Sequence, residues 1–70
     1  MDFAAARPTL LETVRRLAAT DRFGFADIEE VKDELSKELE DDKNEIGDLI
    51  IYCRDDFNWT STPVGKLRLR

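Results

Sequence analysis

Seventy residues carry a net charge of −5, a single cysteine and no histidine. A chain this short makes one small domain, with a core that typically contributes only about 3–5 kcal/mol of net stability, and it leaves no room for a substrate cleft between two domains. One cysteine excludes an internal disulfide and fits a reducing cytoplasm, zinc needs more Cys or His than are present, and no apolar run reaches the length of a membrane span.

The charge is unevenly spread. Residues 26–56 hold 13 acidic side chains against 4 basic ones, −9, while Lys66, Arg68 and Arg70 place +3 on the last five residues. An acidic body repels the phosphate backbone that a nucleic-acid binder must neutralise. The plainer alternative is a solvated face that keeps a small domain soluble.

Residues 1–8 read as a short arm, of which only Phe3 is equipped to pack on the body. Its acidic start lacks an apolar core and does not read as a secretory leader. Thr9-Leu10-Leu11-Glu12 has capping-box spacing and predicts a first helix from Leu10 to about Ala19, with Leu10, Val14, Leu17 and Ala18 on one face. Arg22-Phe23-Gly24-Phe25 is too short for a helix. It predicts a brief strand near Phe25, with that ring pointing into the core.

Asp27 and Glu30 repeat the capping logic and predict a second helix from Ile28 to about Glu40. Its apolar stripe is Ile28, Val31, Leu35 and Leu39. Asp42 and Glu45 do so again, for a third helix from Lys43 to Asp56. On it Ile46, Leu49, Ile50 and Cys53 share the core face, which makes Cys53 a buried, unreactive thiol. Gly47 inside this helix costs about 1 kcal/mol relative to alanine, and reads as a close approach of another helix or a ragged first turn.

From Phe57 the period becomes two. Phe57 and Trp59 alternate with Asn58 and Thr60, Ser61 to Gly65 forms a turn, and Lys66 to Arg70 alternates again. The expectation is a C-terminal β-hairpin with one apolar and one cationic face, and a Trp59 largely buried against the third helix.

The order is helix, strand, helix, helix, strand, strand. With Phe25, the third helix and the Trp59–Leu69 hairpin in place, residues 9–70 resemble the winged-helix family in topology. That resemblance implies a small α+β domain of three helices with a C-terminal hairpin. It also implies a third helix that reads DNA and a hairpin that touches the backbone as a wing. The residues in those positions are Lys43, Asn44 and Arg54 on the helix and Lys66, Arg68 and Arg70 on the wing.

The residue types on the third helix point elsewhere. A reading helix presents Arg, Lys, Asn or Gln to the groove, whereas the side opposite the core here centres on Asp48 and Asp55, flanked by Ile51 and Tyr52. Acids beside exposed apolar side chains read as a protein contact. The plainer alternative is that Ile51 and Tyr52 fill a wider core beneath the arm. A cationic hairpin is also a common guard against edge-to-edge aggregation.

Enzymatic chemistry finds no support. Ser36 and Ser61 have no histidine base, and the Asp41–Asp42 and Asp55–Asp56 pairs lie in polar turns or helix ends. Asp42 to Cys53 brushes the calcium-loop pattern but lacks its closing glutamate. The expectation is therefore a non-catalytic, cytoplasmic protein-interaction or adaptor module, read as an N-terminal domain of a longer protein. It would bind a protein partner or a copy of itself through Asp48, Ile51, Tyr52 and Asp55, or through the free edge of the hairpin. No cofactor, metal, membrane or small-molecule substrate is expected. The alternative is a DNA-binding winged-helix transcriptional regulator.

Overall fold

Three aspartates start the three helices. The structure is a computed structural model that describes residues 1–70. Its elements are α1 (Phe3–Ala19), β1 (Ala26–Asp27), α2 (Ile28–Leu39), α3 (Lys43–Tyr52), a single 3-10 turn (Arg54–Asp56) and β2 (Lys66–Leu67). Asp2 accepts from the Ala5 amide at 3.2 Å, Asp27 from Glu29 at 2.9 Å and Asp42 from Glu45 at 2.8 Å. Each carboxylate satisfies an amide that the helix itself leaves free, at the end where negative charge is favoured.

The start of α1 corrects the sequence expectation. Residues 3–8 are helix, not a frayed arm, and Thr9 and Glu12 lie inside α1 instead of capping it. Pro8 is tolerated at the sixth helical position. It removes the amide that would have bonded the Ala4 carbonyl, but both residues are exposed, so water can serve the freed group. The extra turns bury Ala6 and pack Phe3 against the core, in line with Leu10 and Val14. They also let Arg7 grip Asp56 with two hydrogen bonds, of 2.9 and 2.6 Å.

α2 follows expectation. Val31 and Leu35 are fully buried, and the helix stops where Glu40 takes a left-handed conformation, φ 55°. α3 is shorter than its periodicity suggests. It ends at Tyr52, and the chain continues through buried Cys53 into the 3-10 turn, with the Asp56 amide bonded to the Cys53 carbonyl at 2.9 Å. The core therefore gathers Leu10 and Val14 from α1, Val31 and Leu35 from α2, and Ile46, Leu49 and Ile50 from α3. Phe57 and Leu67 complete it from the C-terminal segment.

The sheet is smaller than the alternation promised, and its principal pairing is different. β2 pairs antiparallel with β1, Ala26 opposite Leu67 and Asp27 opposite Lys66. On the other side a single bridge joins Phe57 to Leu69, supported by the Asn58 amide on the Arg68 carbonyl at 2.7 Å. The last segment thus runs between the strand before α2 and the residues after the 3-10 turn. The short strand lies one residue beyond Phe25, and Ala26, not Phe25, is the residue it buries. The Phe25 ring is half-buried, with the Arg68 guanidinium above it at 5.6 Å from its centroid.

The expected hairpin stops at Asn58. Its side-chain oxygen accepts the Thr60 amide at 3.1 Å, and the Thr62 hydroxyl donates to its carbonyl. The turn chemistry therefore begins three residues before Ser61. At the far end the Lys66 amide bonds the Pro63 carbonyl at 3.2 Å, and Gly65 takes φ 85° as a turn glycine should. The result is an α+β domain of three helices and a two-stranded antiparallel sheet, compatible with a winged-helix-like topology. No helix is long and apolar enough to cross a membrane.

Candidate functional site

The last turn of α3 leaves two large side chains in solvent. Ile51 is 62% exposed and Tyr52 52%. They do not fill a wider core, because the core face of α3 is already taken by Ile46, Leu49 and Ile50. Tyr52 instead meets Phe3 of α1, ring centroids 5.5 Å apart and planes tilted by 43°. Asp48 is exposed on α3, whereas Asp55 is exposed beyond its end, in the 3-10 turn. Asp48, Ile51 and Tyr52 therefore share one helix, and Asp55 belongs to a different element.

Trp59 is the largest departure from expectation. It is 48% exposed, not buried. Because the Asn58 turn takes the backbone out of the pleat, Trp59 does not continue the inward phase of Phe57. Its indole Nε1 donates to the Arg54 carbonyl at 2.7 Å, and its ring stands edge-on to Phe57 at 5.9 Å and 74°. Held at two points, the ring is fixed while much of its surface remains open.

That ring helps to line a groove of about 550 Å³ between α2 and α3. Ile28, Ile50 and Ile51 supply the rest of its apolar lining, with Lys32, Lys43, Asn44, Gly47 and Asp48 among them. Gly47 is not there to let a helix backbone approach. A Cβ on it would meet only the Lys32 side chain, at 3.6 Å, an ordinary contact. The groove was not foreseen from the sequence. Its two signals were a glycine inside a regular helix and an asparagine able to end a strand.

Of the five cations of the DNA alternative, the two lysines are paired with carboxylates and the three arginines are not. Lys43 lies 2.5 Å from Asp33, which raises the lysine pKa and lowers that of the carboxyl. Lys66 lies 3.4 Å from Asp27, whose pKa is lowered first by the Glu29 amide it caps and then by this ammonium. Arg54 lies past the end of α3 and donates to the Ile51 carbonyl at 3.3 Å. Asn44 is exposed on the first turn of α3. Arg68 and Arg70 are exposed without a carboxylate partner.

Cys53 is buried, as its place in the stripe implied, and burial together with nearby Asp56 pushes its thiol pKa up, with Arg7 opposing. A raised pKa reduces the thiolate fraction on which reactivity depends. No family model, curated protein or solved structure matches this chain.

Proposed function

We propose that this winged-helix-like domain is a non-catalytic protein-interaction module that docks through the exposed end of α3. One contrast carries the reading. The helix that would enter a DNA groove offers Asp48, Ile51 and Tyr52 to solvent, while its lysine, Lys43, is held by Asp33. A carboxylate facing phosphates and acceptor-rich base edges costs desolvation without a compensating cation. Exposed aliphatic and aromatic side chains beside it suit a protein surface.

The test is a binding titration against mixed-sequence duplex DNA near physiological ionic strength, where charges are screened beyond about 8 Å. No tight binding is expected. Asp48→Lys with Asp55→Lys is expected to raise non-specific DNA affinity and to weaken a protein partner. Submicromolar binding of the unmodified domain to duplex, falling steeply with added salt, would overturn the proposal. A regulator docking through Lys66, Arg68 and Arg70 would then take its place.

A further inference from the structure

We propose that the groove between α2 and α3 receives a peptide segment carrying one bulky apolar side chain flanked by arginine or lysine. This rests on the protein-contact reading above and names the chemistry of the partner. Three observations support it.

The first is size and lining. About 550 Å³ lies within the roughly 300–1,000 Å³ of sites that hold compact ligands, and a single large side chain can be seated there. Ile50, 5% exposed, and Ile28 offer it apolar surface, and Gly47 leaves space where any other residue would place a side chain.

The second is the fixed indole of Trp59. Its hydrogen bond to Arg54 and its edge contact with Phe57 set the ring before any partner arrives. A preordered aromatic wall loses little conformational freedom on binding. An indole face is also the best aromatic partner for a guanidinium.

The third is charge. Two lysines line the groove, but each already faces a carboxylate: Lys32 lies 3.5 Å from Glu29, and Lys43 lies against Asp33. Asp48 lines the same groove and has no cation within ion-pair distance. Of the three charged side chains in the lining, Asp48 alone has no ion-pair partner, on a stretch of chain that carries 13 acidic side chains against 4 basic ones. An acidic segment would have to displace Glu29 or Asp33 and face that field. A basic one meets a free carboxylate and an open indole.

The experiment selects a randomised dodecapeptide library on the immobilised domain, then titrates enriched peptides against Trp59 fluorescence. Enriched sequences are expected to share an aliphatic or aromatic residue next to Arg or Lys, and to shift the emission on binding. Gly47→Leu, which fills the groove, is expected to leave the domain folded with a melting temperature no lower than before, and to weaken binding by about tenfold or more. Ile51→Lys, at an exposed position, removes an apolar wall and adds a charge that repels a basic segment; it is the second variant and is expected to weaken binding similarly. An acidic consensus, no consensus, or full affinity in either folded variant would overturn the proposal. So would self-association of the unmodified domain that Gly47→Leu abolishes, because the occupant would then be a second copy. Peptides insensitive to both variants but lost in Tyr52→Ala would sink the groove and leave the protein-contact reading standing. Displacement of bound peptide by low concentrations of duplex DNA would sink both.

Discussion

The middle of the chain and its end obey different rules, although both show clean apolar periodicity. From Asp27 to Tyr52 the helical period sends Val31, Leu35, Ile46, Leu49 and Ile50 into the core, and Ile28 and Leu39 pack half-buried against it. From Phe57 to Arg70, the period of two succeeds at Phe57 and Leu67 and fails at Trp59. A helix closes its own hydrogen bonds within four residues, so its faces are set locally. A strand keeps its phase only while a neighbour pairs with it. Here that pairing is one bridge, and the Asn58 side chain ends it by bonding the Thr60 amide. Amphipathic pattern is thus more trustworthy in a helix than in a short strand at the edge of a sheet.

The contrast is sharpest between two rings two residues apart. Phe57, 1% exposed, is locked between the helices and the sheet, so Phe57→Ala is expected to cost about 3–5 kcal/mol. That is enough to unfold a domain of this size, and chemical denaturation should find no cooperative transition. Trp59→Ala removes one hydrogen bond and one aromatic edge contact. It is expected to cost about 1–3 kcal/mol and to leave a folded protein with a lowered melting temperature. Equal losses for the two would break the comparison and return Trp59 to the core.

Smaller changes probe the helical half. Asp42→Ala, which removes the carboxylate capping α3, is expected to lower stability by about 1 kcal/mol, measured by urea denaturation. Glu40→Gly should move the other way. Relieving an L-residue of the left-handed conformation recovers roughly 1–2 kcal/mol, and the backbone entropy of glycine returns part of it, for a net gain of about 0.5–1 kcal/mol. A destabilised Glu40→Gly would mean that the α2–α3 turn does not hold that conformation in solution.

The smallest effect concerns the tie between the two halves. The Arg7 guanidinium lowers the pKa of Asp56, chiefly through their hydrogen bonds. A carboxyl with a depressed folded pKa contributes stability above its unfolded value, about 3.9, and loses it as pH falls through the lower folded value. Melting temperature should therefore fall in acid below about pH 4. Asp56→Asn should make that fall shallower while lowering the plateau near neutral pH slightly. An unchanged acid slope would show that the pair contributes nothing in solution, the common fate of exposed ion pairs.

The winged-helix resemblance drew on element order, and element order is what capping signals and periodicity encode. Asp27 and Asp42 were legible as helix starts because the cap acts on amides two or three residues away. The Asp2 cap is masked in the sequence because Thr9 to Glu12 carries capping-box spacing of its own and residues 1–8 read as an arm. Phe3, Ala6, Leu10 and Val14 do lie at helical spacing, but Pro8 and the competing Thr9–Glu12 signature mask that continuation, and the structure shows that Ala4 and Pro8 face water. At the candidate site, Asp48, Ile51 and Tyr52 were recognisable from their angle on the third helix. The groove beside them was not, because its walls come from Ile28, Gly47 and Trp59, which are distant in sequence.

What the sequence determined alone is the set of helices, their inward faces and the acidic character of α3, since each depends on interactions within a few residues. Only the tertiary structure decided how far α1 extends, where α3 ends, which strand β2 joins and which way Trp59 turns. The contacts that accompany those outcomes are the Arg7–Asp56 pair, the pairing of Ala26 with Leu67 and the indole bond to Arg54. Two of these contacts join segments about forty or more residues apart. The third forms only once the chain has turned at Asn58, so packing, not local propensity, sets the outcome.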